Sequence, residues 1–271
     1  MRAVLPEQTT APSSRTLTRA ATAALVLMGA GLVGFLVSTA ATRIDVSKLQ
    51  AVSPPAAPTP SPTAPPITDL ARNLLPGVVT VEAERTSDEA LGTGWLFDTR
   101  GDFVTNAHVV EGQLSVRITD RLDHIHVGVV VGLDINQDIA MVRASDGFHG
   151  TPLPINRKSP AAVPADVVAL ASSRATGQND ITSERLVQLH QDVPLQSGEI
   201  QPGTSAPTVY HDMLDVNGAR VYQGNSGGPL IDRTGSVIGI ITLASPTGPE
   251  AFAIPITRVL TELNRFAATT G

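Results

Sequence analysis

The chain has 271 residues, which is enough for one or two domains with a sizeable buried core. Apolar residues make up 42% of it but aromatic residues only 3%, so the core must consist mainly of valine, isoleucine, leucine and alanine. The net charge of −6 and the lack of a basic cluster argue against nucleic-acid binding. The absence of cysteine excludes disulfides, thiol nucleophiles and cysteine-based zinc sites.

A long uncharged stretch near the N-terminus is the first segment with a clear physical character. Residues 20–41 contain no charged side chain and, at about 1.5 Å per residue, would form a helix about 33 Å long, enough to cross a bilayer. Arginines dominate the charge of residues 1–19, which favours a cytoplasmic tail. The sequence therefore predicts a single transmembrane anchor at 20–41. The competing interpretation is a secretory signal peptide with a small-residue cleavage site at Ser38–Ala40.

The stretch from 42 to 67 is predicted to be a proline-rich linker. Its central part, AVSPPAAPTPSPTAPP over residues 51–66, contains seven prolines among small residues, which favour an extended polyproline II chain over a packed core. At about 3.1 Å per residue it could hold a domain up to roughly 50 Å from a membrane. A spacer is favoured over a ligand for a proline-binding module, the alternative use of such a composition.

Residues 68–271 are predicted to form one folded domain. Short runs rich in β-branched residues recur between glycine, proline, asparagine and aspartate, a pattern typical of an all-β barrel or sandwich. The runs are 77–82, 94–97, 103–105, 114–118, 125–131, 139–142, 167–171, 237–242 and 251–254. The segment 177–218 is polar with little strand character, which predicts loops. Helical spacing appears weakly at 69–75 and clearly at about 257–267, which predicts a C-terminal helix.

One loop has the composition of a nucleophile site. In Gly224–Leu230, GNSGGPL, Ser226 lies among three glycines and a proline, where its hydroxyl can be exposed and backbone N–H groups can converge beside it. A serine nucleophile needs a base, and His108 stands between a strand and a turn. The histidine needs a carboxylate to orient it, and Asp138 leads directly into an apolar run. These three residues together predict acyl transfer.

Each of these residues also has a plainer structural interpretation. A histidine after a strand is usually a surface residue, and an aspartate before a strand is usually a turn residue, but their joint occurrence with Ser226 favours the chemical interpretation. His124 and His126 occupy alternate strand positions and so share one face, as a metal site would need. An exposed strand face is the favoured interpretation of that pair, and no metal site is predicted.

Four motifs in this order resemble the chymotrypsin-fold serine proteases, and among them the HtrA/Deg-like bacterial branch. They are GTGWLFD at 92–98, TNAHVV at 105–110, DIAMV at 138–142 and GNSGGPL at 224–230, and FAIP at 252–255 also fits that branch. The resemblance covers roughly residues 72–262. It implies two six-stranded antiparallel β-barrels, about 76–150 and about 163–256, with the site in the cleft between them. The irregular residues 150–165 would connect the two.

The resemblance also implies a role for each site residue. His108 would be the general base, Asp138 its orienting carboxylate and Ser226 the nucleophile, while the backbone N–H groups of Gly224 and Ser226 would form the oxyanion hole. No cofactor is needed. The residues implied to bind substrate are Arg220, Tyr222, Thr242, Leu243, Ala244 and Ala251. No acidic residue is among them, so we expect a small or medium apolar residue before the scissile bond. Arg220 leaves an acidic preference open.

The sequence thus predicts a membrane-anchored, extracytoplasmic serine endopeptidase that acts on proteins or peptides at the cell envelope. Its expected partners are the substrate and the membrane, and a homo-oligomer is left open. The segment after Pro255 is too short for the PDZ domain that bacterial relatives usually carry, so none is expected. The alternatives are a catalytically idle barrel that binds or scaffolds, an esterase using the same groups, and a secreted enzyme released by cleavage of residues 20–41.

Overall fold

The structure is a computed structural model that describes residues 66–84, 89–160, 162–177, 180–195, 205, 207–218, 224–245 and 248–269. The predicted tail and transmembrane anchor, nearly all of the predicted linker, and the predicted substrate-binding residues Arg220 and Tyr222 lie outside these ranges. Within them, no helix is both long and apolar enough to cross a membrane.

Six antiparallel strands close into a first barrel. They are β1 (Val78–Glu84), β2 (Glu89–Leu96), β3 (Asp102–Thr105), β4 (Ser115–Thr119), β5 (Ile125–Asp134) and β6 (Ile139–Ala144). Their order around the barrel is β1-β2-β3-β6-β5-β4, and pairing of β1 with β4 closes it. Closure pairs the two outermost strands of the sheet, which reduces the exposed strand edge that could template aggregation.

A second barrel repeats this arrangement in the C-terminal part of the chain. Its strands are β7 (Ala165–Leu170), β8 (Ile181–Pro194), β9 (Val209–Gly218), β10 (Pro229–Ile231), β11 (Val237–Ala244) and β12 (Glu250–Pro255). Their order is β10-β11-β12-β9-β8-β7, and β10 pairs with β7 to close the barrel. The predicted pair of six-stranded antiparallel barrels is therefore confirmed.

In the ranges that the structure describes, four helices accompany the barrels. They are α1 (Ile67–Arg72), α2 (Ala107–Val110), α3 (Ser173–Thr176) and α4 (Ile256–Ala267), and a 3-10 turn at Leu75–Gly77 follows α1. α4 confirms the predicted C-terminal helix. The weak helical pattern at 69–75 corresponds to α1, which begins earlier and gives way to the 3-10 turn before β1.

Several strands, among them β1, β3 and β6, are buried on both faces, which explains why their sequences are continuous apolar runs. Along β6, Ala140 and Val142 point into the first barrel, while Ile139 and Met141 join the shared core. That shared core packs the outer faces of both barrels against each other and against α1 and α4. α4 contributes Phe266, whose ring lies where a side chain at Gly132 would be, since a Cβ there would sit 2.0 Å from it.

The prediction of loops over 177–218 is wrong. β8 and β9 occupy most of that segment and are the longest strands of the second barrel. Only two side chains of β8, Glu184 and Leu186, are buried. The other side chains of the strand are half-buried or exposed, and many of them are polar. The pairing of β8 with β9 also contains three register shifts, which break the alternation of period two that identifies a strand from sequence.

Candidate active site

His108 is held against Asp138 by a short helix that follows β3. The backbone N–H of His108 donates to Asp138 Oδ1 at 3.0 Å. The ring Nδ1 lies 3.0 Å from Oδ1 and 2.9 Å from Oδ2 of the same carboxylate. Because an ionised carboxylate only accepts hydrogen bonds, Nδ1 is the protonated nitrogen of the neutral ring. Nε2 then keeps its lone pair, as a general base requires.

Asp138 is almost fully buried, with 2% of its surface exposed, in the turn that leads into β6. Its φ of +54° is in the left-handed region, which aspartate tolerates better than most residues. Tyr210, from β9 of the second barrel, donates its hydroxyl to Asp138 Oδ2 at 3.1 Å. Burial and the adjacent carboxylate both raise the pKa of the Tyr210 phenol, so the hydroxyl stays a donor.

The loop that carries Ser226 is fastened to both barrels. Thr93 of β2 donates its backbone N–H to the Ser226 carbonyl at 2.8 Å. The Gly227 N–H donates to the Ile241 carbonyl of β11 at 2.8 Å. The Ser226 hydroxyl donates to the Thr242 carbonyl at 3.4 Å. The nucleophile predicted from sequence therefore lies on backbone that two different strands hold in place.

Gly227 is required by the packing of this loop. Its φ is +87°, and a Cβ at this position would lie 2.2 Å from the Thr93 carbonyl oxygen and 2.4 Å from Thr105 Oγ1. Only glycine satisfies both the backbone conformation and the close approach of β2. The glycines of the motif thus serve the seating of the loop against the first barrel.

The two N–H groups predicted to form an oxyanion hole belong to the loop that carries Ser226. Among the described residues, neither the Gly224 N–H nor the Ser226 N–H donates a hydrogen bond. The Gly224 carbonyl is fixed by a hydrogen bond from Thr93 Oγ1 at 2.7 Å. That bond orients the peptide that lies between the two predicted donors.

A bridge of polar groups joins the aspartate of one barrel to the serine of the other. Asn106, which precedes α2, donates its Nδ2 to the Asp138 carbonyl at 2.7 Å and to Thr242 Oγ1 at 2.8 Å. Thr242 in turn accepts the Ser226 hydroxyl through its backbone carbonyl. The structure thus joins His108 and Asp138 directly, and places Ser226 in the same buried network.

The described residues that are predicted to bind substrate lie on two paired strands. Ala244 of β11 is paired with Ala251 of β12, which is fully buried, and Leu243 is half-buried opposite Phe252. The Thr242 hydroxyl is bonded to Asn106 and to a carbonyl of its own strand. Thr242 also contacts the loop that carries Ser226, since its carbonyl accepts the Ser226 hydroxyl.

Sequence reasoning missed three residues that the structure places in the site: Asn106, Tyr210 and Thr93. Asn106 lies within the TNAHVV motif, so its position next to His108 was visible, although its partners were not. Tyr210 lies in the segment wrongly predicted as loops, 72 residues from Asp138 along the chain. No local pattern marks such a contact. In the part of the chain that the structure describes, no cluster of three or more acidic or histidine side chains could hold a metal ion.

The chain is similar in sequence to known proteins. The trypsin-like peptidase domain family matches residues 92–240. Protease Do-like 1, chloroplastic, of Arabidopsis thaliana is 30% identical over 66% of this chain and 40% of its own length. Serine protease HTRA2, mitochondrial, of Bos taurus is 32% identical over 73% of this chain and 43% of its own length. The chain thus spans about two fifths of the length of these curated relatives.

Solved structures show the same likeness. The active form of the Rv3671c protease from M. tuberculosis has a TM-score of 0.61 and 27% identity, covering 81% of this chain and 96% of that chain. The inactive form of the Rv3671c protease has a TM-score of 0.58 and 28% identity, covering 74% of this chain and 93% of that chain.

Proposed function

The chain belongs to the trypsin-like peptidase family, and from that premise we propose that it is a serine endopeptidase of HtrA-like type. The observation that carries the proposal is the buried Asp138 carboxylate, which receives both the backbone N–H and Nδ1 of His108. This arrangement leaves Nε2 as the basic nitrogen, while the network through Asn106 and Thr242 holds Ser226 on the opposite barrel. Proteins or peptides are the proposed substrates.

The proposed reaction proceeds in two steps. In the first, His108 Nε2 removes the proton of Ser226 Oγ as that oxygen attacks the scissile carbonyl, and the N–H groups of Gly224 and Ser226 stabilise the oxyanion. His108 then gives the proton to the leaving amine, and an acyl-enzyme remains. In the second, His108 activates a water that attacks the ester, which releases the acid and restores Ser226. Asp138 stabilises the imidazolium in both steps.

The first experiment is active-site labelling of the full chain. A fluorophosphonate probe should label the wild type and not the Ser226→Ala variant, and hydrolysis of a denatured protein substrate should disappear with the label. Ser145→Ala is the matched control, since Ser145 is exposed at the end of β6, outside the site. A wild type that is neither labelled nor active would favour the alternative of an idle barrel that binds or scaffolds.

We also propose that the peptidase is tethered to a membrane through residues 20–41 and works outside the cytoplasm, in processing or quality control of envelope proteins. The uncharged stretch, the arginine-rich residues before it and the proline-rich spacer after it support this proposal. Fractionation of cells together with the N-terminal sequence of the mature protein tests it. An intact N-terminus in the membrane fraction supports the anchor, whereas a new N-terminus after 38–40 and a soluble product would show a secreted enzyme.

A further inference from the structure

The hydrogen bond from Tyr210 to Asp138 connects the two barrels at the carboxylate that contacts His108. Tyr210 belongs to β9 of the second barrel, and Asp138 lies in the turn before β6 of the first. Tyr210 is 3% exposed and Asp138 is 2% exposed, so water does not compete for the 3.1 Å contact between the phenol and Oδ2. The predicted triad gives no role to this tyrosine, yet it touches the carboxylate as closely as His108 does.

The Asp138 carboxylate accepts hydrogen bonds from two residues. Among the described residues, its hydrogen-bond donors are His108, through the backbone N–H and Nδ1, and Tyr210. A donor to a carboxylate stabilises the ionised form and lowers its affinity for a further proton. The Tyr210 hydroxyl therefore weakens the hold of Asp138 on a protonated imidazole, and it also limits rotation of the carboxylate about its χ2 angle.

Most of the other charged groups around this pair are engaged elsewhere. On β9 and in the turn before β6 they are Asp134, bonded to Gln137, His211, bonded to Asp192, and Asp212, bonded to His190. Strands β6 and β9 also carry Arg143, bonded to Asp102, and Asp215, whose Oδ1 has no hydrogen-bond partner among the described residues. Arg258 of α4 bonds to the His211 carbonyl and interacts with the charges of Asp134 and Asp212. None of them is hydrogen-bonded to the Asp138 carboxylate in the described part of the chain. Among the described residues of the second barrel, Tyr210 is therefore the group that donates directly to the Asp138 carboxylate.

We propose that Tyr210 is a positioning residue of the peptidase site, whose hydroxyl orients the Asp138 carboxylate toward His108 and sets how strongly that carboxylate holds the imidazolium. The role of Tyr210 in hydrolysis rests on the proposed function, but its effect on His108 does not. Because Tyr210 comes from the second barrel, the basicity of His108 on the first barrel depends on the two barrels keeping their relative position.

The test is Tyr210→Phe in the full chain, which removes one oxygen and keeps the buried ring. NMR titration of histidine-labelled protein, with the His108 signal assigned by its loss in His108→Gln, should show the pKa of His108 raised by about half a unit. In the plot of kcat/KM against pH, the acidic limb should shift to higher pH by the same amount. The plateau value of kcat/KM should fall by about tenfold. Thermal unfolding checks that the variant is folded.

A double-mutant cycle separates positioning from a general loss of structure. In an Asp138→Ala background the partner carboxylate is gone, so adding Tyr210→Phe should change kcat/KM by less than about twofold. An unchanged or lowered pKa of His108 in Tyr210→Phe, or a full tenfold effect in the Asp138→Ala background, would overturn the proposal. If the wild type proves to lack peptidase activity, the His108 titration still decides whether Tyr210 acts on Asp138, so the two failures are distinguishable.

Discussion

Glu184 makes the stability of the second barrel depend on pH in a direction that can be predicted. It lies on β8, is 5% exposed, and points with Leu186 into the apolar core. Neither of its carboxylate oxygens has a hydrogen-bond partner among the described residues. Burial without a compensating partner disfavours the ionised form and raises the pKa of Glu184 from 4.5 to about 8. The informative perturbation is Glu184→Gln, which keeps the shape and removes the titration.

The size of the effect follows from the two pKa values. Below pH 4.5 both the folded and the unfolded chain hold the proton, and stability is at its full value. Between pH 4.5 and pH 8 the unfolded chain has released the proton while the folded protein retains it, so folding is destabilised as pH rises, by about 1.4 kcal/mol per unit. Over this pH range the loss is at most on the order of 5 kcal/mol, and solvent that reaches the carboxylate reduces it.

Urea unfolding at a series of pH values measures this loss. Trp95 is the single tryptophan and is fully buried, so its fluorescence reports unfolding directly. All proteins should carry Ser226→Ala to prevent self-digestion. Relative to that parent, Glu184→Gln should gain stability as pH rises from 4.5 to 8, by several kcal/mol in total. Glu89→Gln, which removes an exposed carboxylate at the start of β2, is the control for loss of one carboxylate outside the core. A flat difference for Glu184→Gln would refute the reasoning.

Three further predictions follow from the packing of the site and the core. Gly227→Ala should cost at least about 2 kcal/mol and reduce kcat/KM by about 100-fold, because the methyl group meets the Thr93 carbonyl at a positive φ; wild-type kinetics would contradict this. Gly132→Ala should lower the Tm by a few degrees, because the added methyl group clashes with the Phe266 ring. Phe266→Ala in the same chain should remove that clash, so the Tm losses of the two changes should add up to less than their sum. Fully additive losses would contradict the proposed clash. Profiling with a peptide library should show cleavage after small or medium apolar residues, because no acidic residue is among those predicted to bind substrate, and a strong preference for lysine or arginine would refute that expectation.

Much of the fold was predictable where local pattern and tertiary environment agree. The runs that became β1, β6, β7 and β11 are rich in β-branched residues because each is covered on both faces. The C-terminal helix was predictable because its apolar residues recur at helical spacing and face one core. β8 and β9 were not predictable in the same way, since their outer faces are polar and their pairing is shifted three times.

In the candidate site, too, some residues were predictable from local sequence and others were not. His108, Asp138 and Ser226 were found because each lies in a short contiguous motif, and a motif is a property of neighbours in the chain. The bond from Tyr210 to Asp138 and the bridge from Asn106 to Thr242 join residues 72 and 136 positions apart. Such contacts depend on the register of strands and on how two barrels are packed, and neither leaves a periodic trace in the sequence.

By itself the sequence determined the chemical groups of the site, the all-β class and the place of the final helix, because these depend on composition and on spacing over a few residues. Only the tertiary structure decided how the Ser226 loop is seated, since the carbonyl of Thr93 reaches Gly227 only after the two barrels have closed and packed. It also decided which side chains hold Asp138, because a buried hydrogen bond is specified by the meeting of distant strands.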